Sequence, residues 1–383
     1  MRSHNGSQVP RFPSKGFCFL VALGFYSSLG SAALLSIPTL AANNGHFLAT
    51  SVSLSTEGSQ ISGLQFDLQW EEGLEVQIAG GTGLGSNGKL LYAVPVGTRH
   101  LRVLLAGLSD SVFADGEIIR LFVAVNRIEG SAPVVLRDVM GVTAWGDPVS
   151  IRSSDGAVRK DPAVIVSSIT AEGVLNAASL LTGPVAPGEI VTFLGTFGIS
   201  GPSPQIVATA NRAPAVVLYA LGNQVNAILP LDMDPANPAE LELRDTNRQL
   251  AQITMPVTVA SPALFTQSGT GLGPGAILNQ DYSLNTPANP AVAGSIVMMY
   301  GTGFGPLKPS DGQLPPLTAL PVTATIAGAP ADVTYAGAAP GLPDGVVQVN
   351  VRIPDGIPSG DSQAISLRAG SFPIQNGVTL AVR

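Results

Sequence analysis

Leu64-Gln-Phe-Asp-Leu-Gln-Trp70 alternates apolar and polar residues without a fault, and Leu74, Val76 and Ile78 continue the period beyond the turn Glu71-Glu72-Gly73. Side chains on a strand point to opposite faces in turn, so this pattern makes a strand with one buried face. Ile119-Arg-Leu-Phe-Val-Ala-Val125 reads the same way. Asp115-Gly116 and Asp155-Gly156 add turn signals. No amphipathic helix of ten or more residues is legible after the N-terminal segment. Short strands separated by Gly and Pro turns predict an all-β chain built of antiparallel sandwiches.

Composition agrees. The 383 residues are 45% hydrophobic and only 12% charged, so the chain can bury large cores and suits two or three domains. Gly 44 and Pro 31 supply turns without reaching a low-complexity composition. The net charge of −7 leaves no basic footprint for nucleic acid. The single cysteine, Cys18, excludes internal disulfides and Cys-rich zinc sites. The only histidines are His4, His46 and His100, so a Ser-His-Asp or Cys-His arrangement has almost nothing to build on. No cofactor motif stands out, and a non-enzyme is expected.

The N-terminus has the three-part build of a secretory signal. Arg2, Arg11 and Lys15 precede an apolar run from Phe17, and small residues follow at Ala32-Ala33 and Thr39-Leu-Ala-Ala42. This predicts a signal segment over 1–42, cut near Ala41 or Ala42, and a secreted or cell-surface protein. An uncleaved membrane anchor is the alternative. No membrane contact is expected elsewhere.

Beyond the charged break Arg159-Lys-Asp-Pro162 lies an internal repeat. Gly188 and Gly195 recur as Gly294 and Gly301, an offset of 106. Ala213-Pro-Ala215 recurs as Ala329-Pro-Ala331, offset 116, and Gln224-Val-Asn226 as Gln348-Val-Asn350, offset 124. A unit of about 100 residues is a whole sandwich rather than a solenoid repeat. The Gly-rich stretch Gln267-Ser-Gly-Thr-Gly-Leu-Gly-Pro-Gly275 reads as a connector that could flex.

Two family resemblances follow. Residues from about 46 to 156 resemble a cohesin domain, carried by Ile61-Ser-Gly-Leu-Gln-Phe-Asp-Leu-Gln-Trp70, Gly73-Leu-Glu-Val76 and Ala114-Asp-Gly-Glu-Ile-Ile-Arg-Leu-Phe-Val-Ala-Val125. The resemblance implies a jelly-roll-like sandwich that binds dockerins and shares its fold with cellulose-binding modules. No dockerin-contacting position carries over to a named residue. Residues from about 165 to 383 resemble the Solibacter-type C-terminal domain of secreted acidobacterial proteins, through Val174-Leu-Asn-Ala-Ala-Ser179, Gly275-Ala-Ile-Leu-Asn-Gln-Asp281, Leu284-Asn-Thr-Pro-Ala-Asn-Pro290 and Val347-Gln-Val-Asn-Val-Arg-Ile-Pro354. Its halves are similar to immunoglobulin-like IPT/TIG modules, and no activity comes with it. The expected layout is a cohesin-like sandwich over 43–158, a linker over 159–164, and immunoglobulin-like sandwiches over 165–266 and 267–383, the two packed as a unit and the looser joint at 159–162.

Several motifs carry less. Gly83-Leu-Gly-Ser-Asn-Gly-Lys89 satisfies a phosphate-loop spacing, but Leu90 stands where Ser or Thr is needed and a strand follows instead of a helix. Asp232, Asp234, Asn279, Asp281 and Asn285 offer oxygen atoms in turns without a calcium-loop spacing. Glu71-Glu72 has no partner carboxylate across a cleft. Trp70 belongs to the core phase, and His100 beside Arg99 and Arg102 reads as a satisfied surface residue. Trp145, in Ala144-Trp-Gly-Asp-Pro148, is the candidate ligand-binding residue. The reading is a secreted adaptor that attaches to an extracellular, dockerin-like protein or to polysaccharide, with possible links to polysaccharide breakdown by assembly. The runner-up is a carbohydrate-binding module, and a hydrolase without His or Cys chemistry comes third.

Overall fold

The computed structural model describes residues 32–81, 83–84, 88–107, 109–199, 205–246, 248–308 and 315–383. The chain is all-β, as the period-two runs predict. The first sandwich comprises β1 (Ala33–Ser36), β2 (Thr39–Ala42), β3 (Phe47–Ser55), β4 (Gly63–Trp70), β5 (Leu74–Gly80), β6 (Leu90–Gly97), β7 (His100–Ala106), β8 (Gly116–Val125), β9 (Ser131–Val142), β10 (Pro148–Val149), β11 (Ile151–Ser154) and β12 (Gly156–Lys160). One sheet runs β11-β1-β3-β8-β5; the other runs β2-β12-β9-β4-β7-β6, with β10 paired to β9. Leu64, Phe66 and Leu68 of β4 meet Leu121, Val123 and Val125 of β8 in the core between them.

Two boundaries move. Residues 33–42, expected within the cleaved segment, form β1 and β2, and Ala33, Leu35, Ile37 and Ala42 are buried in the first core. Alternating small and aliphatic residues serve an inner strand as well as a signal's end, and pairing with β3, β11 and β12 decides the matter. The rest of that segment, 1–31, lies outside the described residues. Arg159 and Lys160, expected in a linker, are the end of β12, opposite Ala41 and Ala42 of β2.

The second sandwich holds β13 (Val174–Asn176), β14 (Ile190–Ile199), β15 (Ile206–Ala210), β16 (Ala213–Ile228), β17 (Ala239–Asp245) and β18 (Arg248–Met255). The long β16 pairs with β15 at its start and β14 at its end, and so carries the chain from one layer to the other. The third holds β19 (Ala263–Leu264), β20 (Gly273–Pro274), β21 (Ile277–Leu278), β22 (Ile296–Thr302), β23 (Val322–Ile326), β24 (Ala329–Ala331), β25 (Val333–Ala338), β26 (Val347–Arg352), β27 (Gly360–Ala369), β28 (Phe372–Pro373) and β29 (Val378–Val382).

The repeat holds register by register. Ile190↔Ile228 and Leu194↔Gln224 of β14–β16 recur as Ile296↔Arg352 and Tyr300↔Gln348 of β22–β26. Ala208↔Ala215 recurs as Ala324↔Ala331, and Ile206↔Asp245 as Val322↔Ala369. Even a side-chain bond repeats: Gln224 Nε2 donates to Asn226 Oδ1 at 2.9 Å, and Gln348 Nε2 to Asn350 Oδ1 at 2.8 Å. The growth of the offset from 116 to 124 falls between Ala331 and Gln348, where the second copy builds the β25–β26 hairpin. The core of the third sandwich starts at Ala260, while Val257 packs on that of the second, so the division falls before the expected 266/267.

Residues 32–383 form one compact unit. Phe47 and Phe122 stack at 6.4 Å on the outer side of the first sandwich, and Leu175 and Leu194 of the second pack on them. That cover explains why β8 is apolar in both phases, which alternation alone did not predict. Phe47 N–H donates to Ser167 O at 2.9 Å, and Asn223 Nδ2 to Glu75 Oε2 at 2.6 Å. The joint at 159–162 is therefore continuous with packed structure. So is the Gly-rich connector. Leu272 packs against the first core, on Gly80, where a Cβ would come within 2.5 Å of its Cδ1. Gly271, at φ +77°, lies so close to Ser179 O that a Cβ would stand 2.1 Å away. These glycines permit close approach among three sandwiches; they do not loosen the chain.

The second and third sandwiches meet around a buried carboxyl. Ile190 N–H donates to Thr302 Oγ1 at 2.8 Å, and Thr302 Oγ1 donates to Gly345 O at 2.8 Å. Next to Ile190, the side chain of Glu189 is sealed in, its Oε2 accepting Ala186 N–H at 2.7 Å. Burial pushes this carboxyl up to about 8, against the smaller opposing effects of the Ala186 and Asn176 hydrogen bonds.

Candidate partner-binding face

Strands β9, β4, β7 and β6 lie side by side, and their outward side chains form rows across the sheet. Met140, Gln65, Leu104 and Tyr92 make the first row, through the pairs Gln65↔Met140, Gln65↔Leu104 and Tyr92↔Leu104. Arg137, Asp67, Arg102 and Val94 make the second, and Val135, Gln69, His100 and Gly97 the third. Tyr92, Val94, Val96, Leu104 and Met140 are all exposed. Scattered exposed apolar residues are ordinary, but Tyr92, Val94, Leu104 and Met140 stand in adjacent rows of one sheet face and form a patch of the kind that marks interaction sites. Strand β6 is the sheet's edge, and Pro95 within it removes a donor from that edge, which disfavours strand-to-strand aggregation.

A charge cluster holds the centre. Asp67 is only 1% exposed. It accepts Arg102 Nε at 2.7 Å and Nη2 at 2.8 Å, and takes His100 Nε2 at 2.9 Å. The Arg102 guanidinium holds the Asp67 carboxyl below the usual carboxylate range against the opposing push of burial, and His100 adds to the effect. Asp67 in turn raises Arg102. Arg137 donates to Asp155 Oδ2 at 2.9 Å. A forked ion pair on a buried carboxylate fixes its side chains more firmly than a loose surface pair, so the face is preorganised.

Trp145 sits on the turn joining β9 to β10, beyond the end of the face next to the Met140 row, and is 90% exposed. Thr143 Oγ1 accepts Trp145 N–H and Asp147 N–H, both at 3.2 Å, so the ring is carried on an ordered turn. Trp70 is half-buried against the first core, as its phase predicts. His100 is the satisfied residue expected, but its part in a cluster with Asp67 was missed. The usable signal was the alternation itself, which puts Asp67 and Arg102 outward on neighbouring strands. The apolar β6 row was also missed, although Leu90-Leu-Tyr-Ala-Val-Pro-Val96 is apolar in both phases.

The remaining candidates do not join a site. Lys89 is turned inward: its Nζ donates to Ser62 Oγ and Ser109 O, each at 2.8 Å, and lies 5.9 Å from the Phe113 ring centroid. Burial lowers its ammonium. The segment after it is strand β6, as expected. Glu71 and Glu72 are exposed turn residues. Asp234 accepts Ala236 N–H at 2.9 Å and Asn237 Nδ2 at 2.8 Å within its own turn. Asn279 and Asn285 are buried, and Asn285 donates to Asn279 Oδ1 at 3.0 Å, so they brace a loop.

No family model matches the chain, and no curated protein matches it. Solved structures similar to the chain include cohesins that each cover about a third of it. A non-cellulosomal cohesin from the hyperthermophilic archaeon Archaeoglobus fulgidus is 18% identical, covering 34% of this chain and 92% of its own, with a TM-score of 0.31. The sixth cohesin of Acetivibrio cellulolyticus scaffoldin B, solved in complex with a Cel5 dockerin mutant, is 22% identical, covering 34% and 100%, with a TM-score of 0.31. A cohesin of Clostridium thermocellum, Coh-OlpA in complex with Doc918, is 13% identical over 34% and 100%, also at 0.31. Each of these solved structures is a cohesin, and each covers about a third of this chain.

Proposed function

We propose that the protein is an exported, non-catalytic adaptor whose first sandwich docks an extracellular protein of the dockerin kind on the face of β9, β4, β7 and β6. The observation that carries this is the exposed apolar patch of Tyr92, Val94, Leu104 and Met140 around the locked Asp67–Arg102–His100 cluster. Apolar contact area with a fixed polar centre is what a specific protein interface requires. The resemblance of residues 46–156 to cohesins supports the choice of partner. The C-terminal pair, resembling the Solibacter-type domain, then serves as a rigid support, since it packs on the first sandwich through Leu272 and Leu194. The test is calorimetry of the chain against every dockerin encoded in the same genome. Leu104→Asp should abolish binding while leaving the fold intact; no binding to any dockerin, or equal binding by the variant, refutes the proposal.

A second reading rests on Trp145. A ring this exposed on an ordered turn is suited to stack on a sugar face. Retention on insoluble polysaccharide, lost in Trp145→Ala, supports it; unchanged retention removes it.

A further inference from the structure

The two C-terminal sandwiches are copies, so each loop of one is a control for its counterpart in the other. Strand β13 meets β14 through Val174↔Phe193, and β21 meets β22 through Ile277↔Met299, which aligns the loops that follow. In the second sandwich that loop begins Ala177-Ala178-Ser179; Ala178 and Ser179 are buried, and Gly271 lies on the Ser179 carbonyl. In the third sandwich the counterparts are Gln280, Asp281 and Tyr282, all exposed, Tyr282 to 75%. Small residues at an internal contact have given way to an amide, a carboxylate and an aromatic ring facing water.

The loop is held firmly for an exposed one. Asn285 Nδ2 donates to Ala381 O at 2.9 Å and its Oδ1 accepts Ala381 N–H at 2.8 Å. Asn279 Nδ2 donates to Asn289 O at 2.9 Å, and Asn289 Nδ2 to Ser283 Oγ at 2.7 Å. Tyr282 has φ +65°, a left-handed conformation that a residue with a Cβ holds only when its surroundings impose it. The residues just before it, Gln280 and Asp281, line a depression of about 400 Å³ together with Asn289, Val292 and Arg383 among others, and Tyr282 follows at its margin in the chain. Gln280 spends its Oε1 on Ile296 N–H, leaving Nε2 to donate; Asp281 spends Oδ1 on Ser283 N–H, leaving Oδ2 to accept. The rim therefore offers donors and acceptors together, with a carboxylate at Asp281 and a guanidinium at Arg383.

We propose that this loop is a glycan-binding site, with Tyr282 as the stacking platform and Gln280, Asp281 and Asn289 as hydrogen-bonding groups for sugar hydroxyls. Mixed donors and acceptors suit a polyhydroxylated ligand, and an exposed ring suits the C–H face of a pyranose. The site is independent of the docking face and of Trp145.

The test uses the full chain in affinity electrophoresis through gels containing xylan, mixed-linkage β-glucan or glucomannan, with pull-downs on insoluble cellulose and chitin. At least one polysaccharide should retard the wild type. Tyr282→Ala should weaken that binding about tenfold or more, Tyr282→Trp should retain it, and Trp145→Ala should leave it unchanged. Tyr282 is exposed, so the variants should fold, which circular dichroism checks. Absence of retardation by every polysaccharide, equal binding by Tyr282→Ala, or loss with Trp145→Ala alone overturns the proposal.

Discussion

Replacing Glu189 by glutamine should remove a pH dependence from the protein's stability. The carboxyl has an ordinary value of 4.5 and is pushed up to about 8 by burial at the contact between the second and third sandwiches. A folded-state value above the unfolded one means that folding favours the protonated form. Stability from this group is complete below pH 4.5 and is lost as pH rises through 8. At pH 7 the unfolded chain has ionised the group and the folded chain has not. The gap of about 2.5 units, at roughly 1.4 kcal/mol each, removes about 3 kcal/mol relative to pH 4. About 3 kcal/mol is roughly 6–12 °C in Tm for a unit of 150–250 residues, and the larger unit of residues 32–383 should shift by the lower end of that range or less. The depressed carboxyls of Asp67 and Asp115 act in the opposite sense, losing stability only as pH falls below the ordinary carboxylate range. Calorimetric scans of wild type and Glu189→Gln at pH 5, 6, 7 and 8 separate these effects. The wild-type Tm should fall across the series and the variant's should stay nearly level. The slope is diagnostic, because the second amide hydrogen of glutamine itself costs about 1–3 kcal/mol if unpaired. Parallel slopes for the two proteins, or a level wild type, would refute the reasoning.

Three further outcomes are expected. If the protein is exported, its mature N-terminus should lie near Ala33, after Gly30-Ser-Ala32, because a cut at Asn43 removes β1 and β2 with Leu35 and Ile37, about 2–3 kcal/mol of burial apiece; intact-mass spectrometry of secreted protein decides. Leu272→Ala should cost about 2 kcal/mol and expose the 267–275 connector to protease, whereas the wild type should resist cleavage both there and at Arg159 or Lys160; early cutting of the wild type at either joint contradicts the packing. Asp67→Asn should destabilise the protein in urea melts, since the fork on Arg102 loses its charge, but modestly, about 1 kcal/mol, because Arg102 is half exposed and water can solvate it; an unchanged midpoint would show the cluster to be energetically idle.

Local periodicity determined a great deal by itself. Leu64 to Trp70 names its strand, its buried face and its turn, because a period of two allows only one placement of an apolar face against a core. The repeat also lay open in the sequence, since Gly188 and Gly294, and the Gln-Val-Asn triplets, keep their order and recur in the same backbone register. Trp145 could be singled out as exposed because it stands in a polar turn outside any strand phase. Tertiary structure decided everything that depends on what covers a face. Ala33–Ala42 has the composition of a signal's end, and only pairing with β3, β11 and β12 makes it core. Gly271 and Gly273 suggest slack in a one-dimensional reading, but in three dimensions a missing Cβ lets Leu272 reach between sandwiches. Asp67 stands more than thirty positions from His100 and Arg102, which are neighbours on one face of β7, and Tyr92 and Met140 lie further still from each other along the chain. Strand order alone aligns them into one face, because hydrogen-bonded register sets which side chains are neighbours, and no local signal encodes it.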